Sequence, residues 1–196
     1  MQTELEAKFL DINHDQIRQR LKEIGAVCKF PMRQMRRNNF DYPDKRLEKI
    51  GGWVRVRDEG DKITMSYKQL NDRSLQGTKE VNLEVSDYQA AYNFLTSIGL
   101  KDDNYQETKR ESWEYDGVQI ELDEWPWIKP FVELEGDGEP KLKEVASKLG
   151  LDWDKAVHGS VEVAYLAEYD VTEQEVDNWP EIKFEPVPDW LQKRRK

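Results

Sequence analysis

The sequence predicts an α+β fold, one antiparallel sheet system with helices packed on its outside, and three observations predict it. Short runs that alternate apolar and polar residues recur along the chain, each the mark of a strand with two unlike faces. Amphipathic helical stretches bounded by capping residues and glycine stand between them. The order is strand, helix, several strands, helix, several strands, helix, which is not the strict alternation of a parallel βαβ sheet.

The elements follow in order. Residues 1–9, MQTELEAKF, alternate without a break. Asn13 is an N-cap for a helix to Ile24, with Ile17, Leu21 and Ile24 at helical spacing and Gly25 as its stop. A polar strand is expected from Phe30 to Asp41, broken by Tyr42-Pro43-Asp44. WVRVRDEGDKITMSYKQ reads as a hairpin turning at Asp58-Glu59-Gly60-Asp61. KEVNLEV (79–85) alternates again, and Ser86 is placed to cap a helix to Ile98 that carries Tyr88, Ala91, Tyr92 and Leu95 on one stripe. RESWEY and VQIELDE form two strands around Asp116-Gly117, and a Trp/Pro-rich connection leads into FVELEG. Helices are expected at 141–149 and 161–168. The boundary is drawn as 1–170 for the main domain and 171–196 for a tail whose structure the sequence leaves open.

Composition narrows the function. A net charge of −10 disfavours a nucleic-acid binder. With 37% hydrophobic and 36% charged residues the chain is polar, but seven Trp, eight Tyr and six Phe argue against disorder. One cysteine, Cys28, permits neither an internal disulfide nor a cysteine zinc site, and is read as a small core residue. With only His14 and His158, histidine-based catalysis is disfavoured. No apolar span or leader pattern is read, so the expectation is a cytoplasmic protein that engages neither membrane nor nucleic acid. A homodimer is left open, since many proteins of this size pair.

The strand faces carry the chemistry. Glu4, Glu6 and Lys8 share a face, as do Arg55 and Arg57, and Lys68 lies opposite Met65 and Tyr67. Glu80 and Glu84 oppose Val81, Leu83 and Val85; Glu121 and Asp123 oppose Ile120 and Leu122; Glu133 and Glu135 oppose Val132 and Leu134. Taken singly, each charged face is the wet side of an antiparallel sheet. Taken together, helices covering the apolar faces would turn the charged ones inward, into a barrel. A lumen of both signs must hold water or a charged ligand, because unpaired buried charge is costly. Arginine and lysine suit phosphate oxygens; carboxylates beside them call for a divalent cation such as Mg²⁺ or Mn²⁺.

The ordered set resembles the CYTH superfamily, the triphosphate tunnel metalloenzymes. It comprises Glu4-Leu-Glu6-Ala-Lys8, the FDYPD turn, Arg55-Val-Arg57, Lys68, Glu80 with Glu84, Arg110, Asp123 in IELDE, and Glu133-Leu-Glu135, and runs from residue 1 to about 170. The resemblance implies an eight-stranded antiparallel β-barrel forming a tunnel. It implies that Lys8, Arg55, Arg57, Lys68 and Arg110 hold a triphosphate and that Glu4, Glu6, Glu133 and Glu135 hold Mg²⁺ or Mn²⁺, with Asp123 adjoining both. Glu80 and Glu84 would line the same tunnel as catalytic groups. Arg37 falls where members often carry Asn or Asp and is expected inside; Arg33 shares its parity, and Glu121 shares that of Asp123. Trp125 and Trp127 are expected as rim packing, Tyr165 as a packing residue, and the basic 193–196 end as a solvated terminus.

The implied function is metal-dependent hydrolysis of a triphosphate, inorganic or carrying a nucleoside or thiamine. The alternative is class IV adenylyl cyclase chemistry, ATP to cyclic AMP and pyrophosphate, which the LDEWPWIKPFVELEG stretch keeps in play. A third class is a binding module without catalysis, and the complete acidic set argues against it.

Overall fold

The structure, a computed structural model, describes residues 2–72 and 74–196, apart from the side chains of Gln2, Thr3 and Glu4. Eight strands make up the barrel wall: β1 (Gln2–Phe9), β2 (Val27–Asp41), β3 (Gly52–Asp58), β4 (Ile63–Leu70), β5 (Thr78–Val85), β6 (Lys101–Tyr115), β7 (Val118–Glu124) and β8 (Phe131–Gly136). They run antiparallel in the order β2-β3-β4-β5-β1-β8-β7-β6, and β6 pairs back onto β2, which joins the two ends of the curled sheet. A two-residue strand, β9 (Glu181–Ile182), adds in parallel to β6 at Tyr105 and Gln106.

Helices lie outside because the apolar faces point outward. Ala7 and Phe9 of β1, Ile120 and Leu122 of β7 and Val132 and Leu134 of β8 are buried under Ile17 and Leu21 of α1 (His14–Glu23) and Leu142 and Val145 of α3 (Glu139–Lys148). Phe40 of β2 and Val56 of β3 are buried under Ala91 and Leu95 of α2 (Tyr88–Ser97). Each such aliphatic side chain, fully buried, contributes about 1.5–3 kcal/mol. Asn13 caps α1 as its sequence predicts, accepting from the amides of Asp15 and Gln16. The cap of α2 is Asp87 rather than Ser86, one residue later than expected; its carboxylate accepts from the Ala90 amide.

Two strands are longer than their alternation announced. β6 begins at Lys101, well before RESWEY, and β2 begins at Val27. The first half of β6 is polar on both sides because its inward residues, Asn104 and Gln106, face the lumen while one of its edges meets β2. No apolar-polar alternation survives to mark it.

The chain beyond α4 (Glu162–Glu168) folds as well. α5 (Glu173–Asp177), β9 and α6 (Asp189–Gln192) bring Val176, Trp179, Ile182 and Leu191 against Tyr165, Tyr169, Trp125 and Phe131. Thr172 and Glu175 form a capping box at α5, and Arg194 grips Glu175 through two bonds of 2.7 and 3.1 Å. The basic terminus is therefore partly tied down: Arg195 donates to the Tyr169 hydroxyl at 2.5 Å. Cys28 is exposed on β2, not in the core, because it lies in the opening stretch of that strand, whose first five residues are all exposed. Among the described residues no helix is long and apolar enough to cross a membrane.

Candidate functional site

With the apolar faces outward, the charged ones enclose a lumen of about 1110 Å³. Cross-strand register sets its layout. Arg37 pairs with Arg57, Asn39 with Arg55, Arg33 with Arg110, Lys68 with Glu80, Glu6 with Glu135, Lys8 with Glu133, and Glu121 with Glu133. All of these side chains line the cavity.

One wall is a network of matched charges. Lys8 Nζ lies 3.2 Å from Glu6 and 2.9 Å from Glu133. Burial opposes the charge of Lys8, but the two carboxylates hold its pKa above the ordinary lysine value. Burial also opposes charge on Glu133, yet Lys8 and Arg110 hold it well below the usual carboxylate range. Arg110 donates bidentately to Asp123 at 2.7 and 2.6 Å and approaches Glu133 at 3.5 Å. Across the lumen, Glu80 bridges Lys68 at 3.1 Å and Arg55 at 3.4 Å.

The rest of the lumen is unbalanced, in both signs. Arg37 donates to Gln106 Oε1 at 2.9 Å and lies 4.2 Å over the Trp125 ring, and among the described residues no carboxylate pairs with it. Burial and the neighbouring Arg55, Arg57 and Arg110 lower its pKa well below the usual arginine value. Arg55 is pushed down to about 10 by burial and by Arg57, and its buried Nε has no hydrogen-bond partner. On the acidic side, burial and the charges of Glu133 and Glu6 raise Glu135, while burial, with Asp123 and Glu133, raises Glu121 despite Arg110. Buried Oε2 of Glu121 has no hydrogen-bond partner among the described residues and lies 4.0 Å from Arg110 Nε. The arginine cluster asks for an anion and the glutamates for a cation.

Glu6, Glu121, Glu133 and Glu135 are hard oxygen donors on three adjacent strands, the chemistry that Mg²⁺ or Mn²⁺ takes. The raised Glu135 and the Glu121 oxygen that accepts no hydrogen bond among the described residues fit a cation there. Among the described residues no three such groups are already drawn into a cage. The Glu4 side chain lies outside the described residues; its backbone pairs with Thr78. Asp123, expected beside metal and substrate, has both oxygens on Arg110.

Most expected residues meet in the lumen: Glu6, Lys8, Arg33, Arg37, Arg55, Arg57, Lys68, Glu80, Arg110, Glu121, Glu133 and Glu135; Asp123 is not on its surface but is bonded to Arg110, which is. Glu84, expected there too, is exposed at the far end of β5 and outside the lining. β1 pairs with β5 only from Thr78 to Glu80, so among the described residues nothing closes the wall beside residues 81–85. Trp125 does more than pack at a rim, since it underlies Arg37 as well as meeting Tyr165 edge-on. Trp127 packs as expected, against Trp179, and Tyr165 is buried with its hydroxyl on the Pro126 carbonyl at 2.9 Å. Glu59 is the residue that sequence reasoning missed: it is 5% exposed and receives Arg57 Nε and Nη2 at 3.0 and 2.6 Å. It continues the parity of Arg55 and Arg57, and that was the available signal.

Comparison with known proteins agrees with this geometry. The CYTH domain profile matches residues 2–160. No curated protein matches the chain. Among solved structures, a candidate adenylate cyclase from Vibrio parahaemolyticus superposes with a TM-score of 0.72 at 18% identity, covering 83% of this chain and 97% of that one. A conserved hypothetical protein from Pyrococcus furiosus gives 0.67 at 20% identity, covering 83% and 99%. The Hippeastrum protein HpAC1, described as having a dominant triphosphatase activity, gives 0.56 at 15% identity, covering 90% and 95%. These likenesses speak to the fold, and the profile match, spanning most of the chain, speaks to descent: the protein belongs to the CYTH domain family.

Proposed function

We propose that the protein is a divalent-metal-dependent triphosphatase, which hydrolyses the terminal phosphoanhydride of a linear triphosphate held in its lumen. The observation that carries this is the Arg37–Arg55 pair: like-charged guanidinium groups in the lumen wall, with the buried Arg55 Nε left without a hydrogen-bond partner and no carboxylate paired with Arg37 among the described residues. Such an arrangement is unfavourable until a polyanion enters. Lys8, Lys68 and Arg110 supply further donors whose positions Glu6, Glu133, Glu80 and Asp123 fix beforehand, so that little reorganisation is needed at the reacting phosphate.

Water attacks the terminal phosphorus and the bond to the bridging oxygen breaks, leaving phosphate and pyrophosphate. The basic groups spread the charge of the transferring phosphoryl group, and the enclosed wall keeps it aligned. Glu6, Glu133 and Glu135, with Glu4, are the residues that would hold Mg²⁺ or Mn²⁺, which supplies Lewis-acid neutralisation of phosphate charge. Inorganic triphosphate is the simplest substrate, because the lumen groups address phosphate alone. The triphosphatase activity described for the Hippeastrum protein supports this reading.

The test is a product assay. Purified protein is incubated with inorganic triphosphate, ATP and thiamine triphosphate, with Mg²⁺, Mn²⁺ or EDTA, and phosphate, pyrophosphate and cyclic AMP are resolved. Phosphate release from triphosphate, lost in EDTA, is expected. Cyclic AMP with pyrophosphate from ATP would replace the proposal with cyclase chemistry.

A further inference from the structure

We propose that Glu59 sets the length of phosphate chain that the lumen accepts, by standing as an internal carboxylate where the next phosphate would lie. The proposal rests on the triphosphatase reading and adds a specificity determinant to it. The ladder of guanidinium groups does not end at Arg37 and Arg55. Arg57 follows Arg55 on the same face of β3, and Arg33 precedes Arg37 on β2, so the basic surface continues toward the β3–β4 turn. That continuation is filled. Glu59 Oε1 accepts from Arg57 Nε and Nη2 at 3.0 and 2.6 Å and from Thr64 Oγ1 at 3.0 Å. Its backbone carbonyl accepts from Arg33 Nε at 3.1 Å, and its second carboxylate oxygen lies 4.0 Å from Arg33 Nη2.

The turn holds Glu59 in place. Its amide donates to the Lys62 carbonyl at 2.9 Å, Asp58 accepts from the Gly60 amide at 3.0 Å, and Gly60 takes φ +90°, a conformation that a side chain would strain. A planar carboxylate gripped along one edge by a guanidinium occupies the same donors that a phosphate would use. A fourth phosphate would have to displace it and meet its charge. Arg55 meets Glu80 only through Nη2 at 3.4 Å and keeps its Nε unbonded among the described residues, and Arg37 is held by the neutral Gln106, so the phosphate chain is received beside these two and stops before Arg57.

Initial rates of phosphate release in Mg²⁺ from inorganic triphosphate and inorganic tetraphosphate test this for the wild type, Glu59→Gln and Glu59→Asp. The wild type should favour triphosphate in kcat/KM by roughly tenfold or more, the worth of one charge-assisted contact. In Glu59→Gln the preference should shrink or invert, through KM for tetraphosphate; Glu59→Asp, which keeps the charge on a shorter arm, should fall between. Equal use of both substrates by the wild type overturns the proposal, even if neither variant folds. So does a folded Glu59→Gln, checked by its melting temperature, that slows on both substrates with the ratio unchanged, for Glu59 would then only orient Arg57. A wild type that turns over neither substrate removes the triphosphatase reading itself, and the wild-type arm alone reveals that case.

Discussion

Arg37→Met separates the stability of the lumen from its use. The substitution keeps an apolar arm of similar length over Trp125 and removes the charge. What is lost is a charged hydrogen bond to Gln106, worth about 1.5–3 kcal/mol, and a cation–π contact, worth about 1–2 kcal/mol. What is relieved is repulsion from Arg55, Arg57 and Arg110. At an effective dielectric constant of about 20, one pair of like charges about 6 Å apart costs roughly 3 kcal/mol. The terms offset, so Arg37→Met should melt close to the wild type, whereas truncating an ordinary buried residue costs about 2–5 kcal/mol. Binding should respond in the opposite way. A ligand at about 100 times its Kd stabilises the wild type by about 2.7 kcal/mol, a rise of roughly 5–10 °C for a chain of this size. Losing a bidentate phosphate contact weakens binding by about a hundredfold, which leaves the same ligand worth about 0.4 kcal/mol and a rise of roughly 1 °C. Differential scanning fluorimetry with and without magnesium triphosphate reads both numbers. A variant that melts far below the wild type, or that keeps the full ligand shift, would refute the reasoning that Arg37 is an unpaired anion receptor.

Three further perturbations follow from the same charges. Glu133→Gln removes a carboxylate held by Lys8 and Arg110 and should cost about 3–5 kcal/mol in urea denaturation at pH 7. Because Glu133 is held below its unfolded value, its contribution is present above about pH 4.3 and is lost as pH falls further, so the variant should show a flatter acid limb in stability against pH. Glu6→Gln with Glu135→Gln removes charges that repel each other; the variant should fold, need at least about tenfold more Mg²⁺ for half-maximal turnover, and lose most activity, and unchanged Mg²⁺ dependence would remove these residues from the metal assignment. Leu191→Ala, at a fully buried position in α6, should cost about 2–5 kcal/mol and red-shift tryptophan fluorescence as Trp179 loses its cover; a neutral result would show that 171–196 contributes nothing to the fold.

What the sequence revealed depended on contrast between strand faces. β1, β3, β4, β7 and β8 put apolar residues under helices and charged residues in the lumen, so alternation marked both the strand and the site. Arg37 was legible by parity alone. The first half of β6 was not, because Asn104 and Gln106 face a polar lumen and the opposite positions are polar too. The elements after Val171 are two to five residues long and owe their order to Tyr165, Trp125 and Trp179, contacts distant in sequence. Glu84 has the parity of Glu80 but not its neighbour strand, which only register could reveal. Glu59 hid in a turn, where charge ordinarily signals solvent.

Whether the lumen arginines receive a triphosphate is decided by calorimetric titration with magnesium imidotriphosphate, a non-hydrolysable analogue. Saturable binding of one molecule per chain is expected in the wild type, weakened by about a hundredfold in each of Arg37→Met and Arg55→Met while both variants remain folded. Wild-type affinity in both variants, or no binding by the folded wild type, would rule that receptor out.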